Sequence, residues 1–123
     1  VISNFIVQGL RKKPITIYGD GSQTRSFCYV EDLVNGLIKL MNSNIEKPIN
    51  LGNPDELTIK NVALKVKNKL SKNIDIQYCE FPEDDPIRRK PDISLAKRVL
   101  DWNPTINFED GIDRTIEYFR NSL

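Results

Sequence analysis

An alternation runs through this chain and limits the folds open to it. Apolar stripes at helical spacing trade places with short apolar runs, and glycine or proline divides one from the next. Ile2, Phe5, Ile6 and Leu10 share one helical face, and Arg11-Lys12-Lys13 followed by Pro14 stops that helix. Residues 15–18 then read as a short strand, 19–22 as a turn through Gly19 and Gly21, and 25–30 as a second extended stretch. Glu31 and Asp32 sit where carboxylates favour the positive end of a helix dipole. Val30, Leu33, Val34, Leu37, Ile38 and Met41 follow as a stripe expected to face the core.

The pattern continues to the end of the chain. Residues 48–52 read as a short strand, and Thr58 caps the next helix with Leu57 and Val62 as a hydrophobic staple. Its buried face is Ile59, Val62, Ala63, Val66 and Leu70. Residues 74–78 alternate like a half-buried strand and lead into a charged loop at 83–92. Ser94 caps a short helix that Asp101-Trp102-Asn103-Pro104 ends, and Asn107 opens the last helix, with its stripe at Phe108, Ile112, Ile116 and Phe119. Short strands alternating with helices predict an α/β or α+β class, here as a single domain over residues 1–123. The first helix begins with no residue to cap it, which predicts a chain that continues upstream in a longer protein.

Composition excludes several function classes. Hydrophobic residues make up 39% and charged residues 28%, a globular rather than a disordered balance. The net charge of +1 supplies no field for a polyanion, so no nucleic-acid partner is expected. No apolar run approaches a membrane span and no leader precedes the first helix, so a cytoplasmic protein without a membrane partner is expected. Histidine is absent, which removes histidine-based triads and the usual zinc sites. Cys28 and Cys79 lie far apart among apolar neighbours and read as reduced, buried thiols, with a single disulfide as the alternative.

Three segments could carry chemistry. Tyr18 and Arg25 flank the 19–22 turn, where an aromatic ring and a planar guanidinium could hold a base and a phosphate; strand packing and a solvated arginine are the plainer account. Arg88-Arg89-Lys90 lie between Pro86 and Pro91 in a stiffened loop able to meet an anion, or simply to be solvated. Glu80, Glu83, Asp84 and Asp85 lack the spacing of a calcium loop, so no metal is expected. The 19–22 turn lacks the Gly-Lys-Ser/Thr of a P-loop.

Residues 15–34, Ile49-Asn50-Leu51-Gly52-Asn53-Pro54, the string from Asp84-Asp85-Pro86 to Ile93, and 100–104 together resemble, in order, extended short-chain dehydrogenase/reductases. The likeness spans essentially the whole chain. Gly-Ser-Gln-Thr-Arg at 21–25 and Arg-Lys-Pro-Asp-Ile at 89–93 are most similar to the UDP-glucuronate decarboxylase (UDP-xylose synthase) group; dTDP-glucose 4,6-dehydratases and UDP-glucose 4-epimerases share the skeleton more loosely. The resemblance implies the carboxyl-terminal, nucleotide-sugar-binding portion of an NAD-dependent enzyme whose Rossmann core is missing here. That enzyme oxidises the sugar at C4, releases carbon dioxide and re-reduces the ketone, and it is a homodimer built through its Rossmann half. NAD is then bound mainly by the missing amino-terminal domain.

The family's Gly-rich fingerprint and Tyr-x-x-x-Lys pair are absent, since none of Tyr18, Tyr29, Tyr78 and Tyr118 has Lys four positions on. The resemblance therefore implies no catalytic residue in this chain and no activity of the chain alone. It implies Ile17 and Tyr18 beside the uracil and Arg25 on the diphosphate. Either Arg88 or Arg89, the string favouring Arg89, would meet the diphosphate or the sugar carboxylate, with Gln8 and Asn50 at the rim. A free-standing nucleotide-sugar-binding module without catalysis is the reading from a different class.

Overall fold

The computed structural model describes residues 1–80 and 90–123. These cluster into two compact units, the first made of residues 1–25, 57–80 and 112–123 and the second of 26–56 and 90–111. The elements run α1 (Ile2–Leu10), β1 (Ile15–Tyr18), β2 (Thr24–Ser26), α2 (Val30–Met41), β3 (Glu56–Thr58), α3 (Ile59–Leu70), β4 (Ile76–Cys79), α4 (Ser94–Leu100) and α5 (Phe108–Ser122). β1 pairs with β4 in parallel, Ile15 opposite Ile76 and Tyr18 opposite Cys79, while β2 pairs with β3. Among the described residues no helix is long and apolar enough to cross a membrane.

In the first unit α1 and α3 pack on each other and on β1. Phe5 and Ile6 of α1 and Ile59, Val62, Ala63 and Val66 of α3 are buried, as their helical spacing predicts, and Ile15 and Ile17 of β1 are buried with them. Each of these side chains other than that of Ala63 contributes on the order of 1.5–3 kcal/mol when removed from water. α3 starts where it should: the Asn61 amide donates to Thr58 Oγ1 at 3.1 Å. The turn before it explains the glycine at 21. Its φ is +79°, and a Cβ there would lie 2.9 Å from Lys60 Cβ and 3.2 Å from the Lys60 nitrogen, so both conformation and space demand glycine.

The second unit closes around Ile93, Ala96, Leu100 and Trp102, with Cys28, Leu40, Ile45, Ile49 and Leu51 packed against them. Asp32 organises it. Its carboxylate accepts from the Thr105 and Ile106 amides at 3.1 and 2.8 Å and from Thr105 Oγ1 at 3.0 Å, while its carbonyl accepts from Trp102 Nε1 at 2.9 Å. Gly36 lets this packing close, because a Cβ there would stand 2.9 Å from Leu51 Cδ1 and 3.0 Å from Trp102 Nε1.

Four expectations are corrected. Residues 48–52 form no strand, and the pairing segment comes later, at β3. β2 ends at Ser26 rather than running to residue 30. Ser94 does not cap α4: it is the first helical residue, and its amide donates to Asp92 Oδ1 at 3.0 Å. The α2 stripe does not face the core. Val30, Val34, Leu37, Ile38 and Met41 are exposed, Met41 by 82%, while Asp32 and Gly36 are the residues that α2 buries. Periodicity identifies an apolar face without saying what covers it. Both cysteines are free and half-buried, and burial, with the nearby Asp32 charge, pushes the Cys28 thiol up.

Candidate functional site

The first unit brings the turn segment and the end of β1 together. Backbone bonds from the Ile15 amide to the Asp75 carbonyl and from the Gly19 amide to the Cys79 carbonyl turn the odd-numbered residues of β1 toward β4. Thr16 and Tyr18 therefore direct their N–H and C=O groups to the opposite edge, which among the described residues no strand covers. Two glutamine side chains attend that edge. Gln8 reaches from α1, its Oε1 accepting the Thr16 amide at 3.1 Å and its Nε2 donating to Thr16 Oγ1 at 2.8 Å. Gln23 donates from Nε2 to the Tyr18 carbonyl at 2.9 Å. Between them on the same edge lie the Thr16 carbonyl and the Tyr18 amide, an acceptor and a donor side by side.

The residues singled out in the sequence fall in different places. The Tyr18 side chain is 52% exposed beside this edge. Ile17 is fully buried and directs its N–H and C=O toward β4, so it supports the strand without reaching the open edge. Gln8 spends both ends of its amide on Thr16. Arg25, on β2, is buried at 9% exposure, and its Nη1 donates to the Thr24 carbonyl at 2.7 Å. Asn50 is exposed and belongs to the second unit. Arg88 and Arg89 lie outside the described residues, as do Glu83, Asp84 and Asp85. Sequence reasoning missed Thr16 and Gln23 as parts of this edge. A lone threonine in a strand and a glutamine in a turn carry no signal until β4 shows which edge is open.

The turn itself is held from below. The Ile59 amide donates to the Gln23 carbonyl at 2.9 Å and the Lys60 amide to the Gly21 carbonyl at 3.0 Å, so the first turn of α3 spends its unpaired N–H groups on the loop. Asp20 accepts the Ser22 amide at 2.9 Å, and hydrogen bonds from the Ser22 hydroxyl and amide hold its carboxyl below the usual carboxylate value. Among the described residues no three of His, Cys, Asp or Glu gather as a cation site.

A short parallel pair backed by helices, with a glycine turn leaving its carboxyl end, is how open α/β sheets offer binding edges. The family model for GDP-mannose 4,6 dehydratase matches residues 1–115, and the chain belongs to that family, one of the extended short-chain dehydrogenase/reductase kind.

Its relatives narrow the comparison. The chain is 51% identical over all 123 residues to UDP-glucuronic acid decarboxylase 1 of Danio rerio, of which it spans 29%. It is 49% identical to UDP-glucuronic acid decarboxylase 3 of Arabidopsis thaliana, spanning 36% of that protein. Among solved structures, an epimerase from Methanothermobacter thermautotrophicus superposes with a TM-score of 0.95 at 31% identity, over 99% of this chain and 37% of that one. UDP-glucuronic acid 4-epimerase from Bacillus cereus, in complex with UDP-glucuronic acid and NAD, gives 0.92 at 27% identity, over 99% and 40%. The chain thus spans roughly a third of these relatives and matches a part of their fold.

Proposed function

We propose that this chain is the nucleotide-sugar-binding portion of a UDP-glucuronate decarboxylase. The observation that carries the reading is the 51% identity, sustained over every residue of the chain, to a protein of that name. Epimerases of known structure stand at 31% and 27%. The substrate is UDP-glucuronate, the product is the corresponding pentose nucleotide, UDP-xylose, and carbon dioxide is released.

The β1 edge supports the base-binding half of this reading. A uracil ring presents an imide N–H beside a carbonyl oxygen, which is the complement of the Thr16 carbonyl and the Tyr18 amide. The pair reads the base as one strand reads another, by main-chain hydrogen bonds. Tyr18 supplies an exposed ring beside it, and buried Ile17 keeps the strand from shifting. Arg25 is the diphosphate partner: a buried guanidinium in low dielectric binds phosphate oxygens in a fork, each charge-assisted bond contributing about 1.5–3 kcal/mol. Gln8 serves the site by holding Thr16; Asn50 and either Arg88 or Arg89 are the further residues that the family likeness proposes for the nucleotide-sugar.

NAD is the cofactor proposed for the whole enzyme; bound, it would take hydride from the sugar and return it. The Gly19–Ser22 turn leads into β2 rather than into a helix, so no helix N-terminus receives a pyrophosphate there. The part played by this chain is to bind and orient the nucleotide, and the dimer proposed for the whole enzyme rests on other residues.

The test is to express the natural reading frame that carries this chain and incubate it with UDP-glucuronate and NAD. A product lighter by one carbon dioxide is expected, with Arg25→Ala weakening UDP binding roughly 10- to 100-fold. A product of unchanged mass but inverted at C4 would replace the decarboxylase by the epimerase reading.

A further inference from the structure

We infer that Gln23 is a positioning residue for base recognition: by holding the Tyr18 carbonyl, it sets the direction in which the Tyr18 amide is presented. The inference rests on the reading of the β1 edge given above and adds to it a residue that touches no ligand. Gln23 is 4% exposed, and its Nε2 donates to the Tyr18 carbonyl at 2.9 Å. Its Oε1 is buried, and among the described residues nothing hydrogen-bonds it.

An amide buried with one end unsatisfied is a costly way to fill space, and an apolar side chain of similar volume would fill it without that cost. The fold does not need the side chain to secure the turn. The Gln23 and Gly21 carbonyls already accept the Ile59 and Lys60 amides, and glycine at 21 lets the loop lie against α3. What the side chain adds is one bond, to the carbonyl of Tyr18. A strand residue directs its N–H and C=O to the same edge, so anchoring the carbonyl fixes the amide beside it. Gln8 does the same for Thr16 from the other side, and the inner carbonyl and amide are left at a fixed spacing. Such preorganisation favours a ligand whose donor and acceptor match that spacing over one whose do not.

Uridine and cytidine diphosphates separate this role from a merely structural one. Both carry the same diphosphate and ribose, but cytosine has an acceptor where uracil has its imide N–H. In the polypeptide from the natural reading frame, Gln23→Met is expected to weaken UDP binding about tenfold, the equivalent of one hydrogen bond, and to leave the weaker CDP binding unchanged. The UDP-to-CDP ratio, measured by calorimetry, would then fall by the same factor. A lower folded fraction would reduce both together, so an unchanged ratio overturns the inference.

Should the methionine variant not fold, the unsubstituted protein still decides. The Gln23 side-chain amide resonance is expected to shift on saturation with UDP and to stay in place with CDP; no shift with UDP overturns the inference as well. If the unsubstituted protein binds UDP no better than CDP, the base-reading edge itself is wrong, and that failure is visible before any variant is made.

Discussion

Single residues divide here into those whose role is local and those whose role is set across the fold. Asp32 stands at the start of α2, where its sequence position suggests a contribution to the helix dipole. In the fold it is 3% exposed and accepts three hydrogen bonds from Thr105 and Ile106, residues 73 and 74 positions away. Asp32→Ala would leave those donors without a partner in a half-buried place. It is expected to lower stability by about 2 kcal/mol or more, read from the urea midpoint, whereas Glu31→Ala on the exposed side should change it by less than about 0.5 kcal/mol. The capping roles of Thr58 and Asn107 were legible in the sequence because a cap is satisfied within three residues, as the bonds from the Asn61 and Asp110 amides show. Gln23 was not, because its partner edge exists only once β1 and β4 pair.

At the scale of elements, helices were the legible part and their orientation was not. The helices among the described residues stand close to where spacing and turn residues put them, and β1 has the bounds expected of it. The exception is the meaning of the α2 stripe. Val30, Val34, Leu37, Ile38 and Met41 are exposed on one side of the helix, opposite the side where Gly36 and Asp32 allow close packing. An apolar face of this size left exposed favours association. Expressed alone, the chain is expected to bind a hydrophobic dye and to self-associate in light scattering. The double variant Leu37→Lys, Met41→Lys should lose both properties, with a stability change within about 0.5 kcal/mol, because neither side chain is buried. A large loss of stability would mean that the stripe is covered within the chain itself.

For the molecule as a whole, acid stability should carry the mark of two turn carboxylates. Asp20 is held below the ordinary 3.8 by bonds from the Ser22 hydroxyl and amide, and Asp92 by the Ser94 amide and then its hydroxyl. A depressed folded-state pKa means a contribution fully present above the unfolded value and lost as pH falls through the folded one. The thermal midpoint of the parent should therefore drop in acid below 3.8 more steeply than that of Asp20→Asn, Asp92→Asn, whose amides accept the same bonds without titrating. Identical acid profiles for the two proteins would remove both groups from the account. The class of fold, the succession of elements, the turn that needs Gly21 and the family likeness carried by residues 15–34 are all legible in the order of residues. Each of these is set by bonds and sterics within a few residues, or by strings read in order. Which face of α2 meets a core, why Asp32 is buried, and that Thr16, Tyr18, Gln8 and Gln23 share one strand edge emerge only when the chain has folded. Those facts depend on partners brought together from far along the chain, 70 residues in the case of Trp102 and Asp32, and no local pattern encodes such a distance.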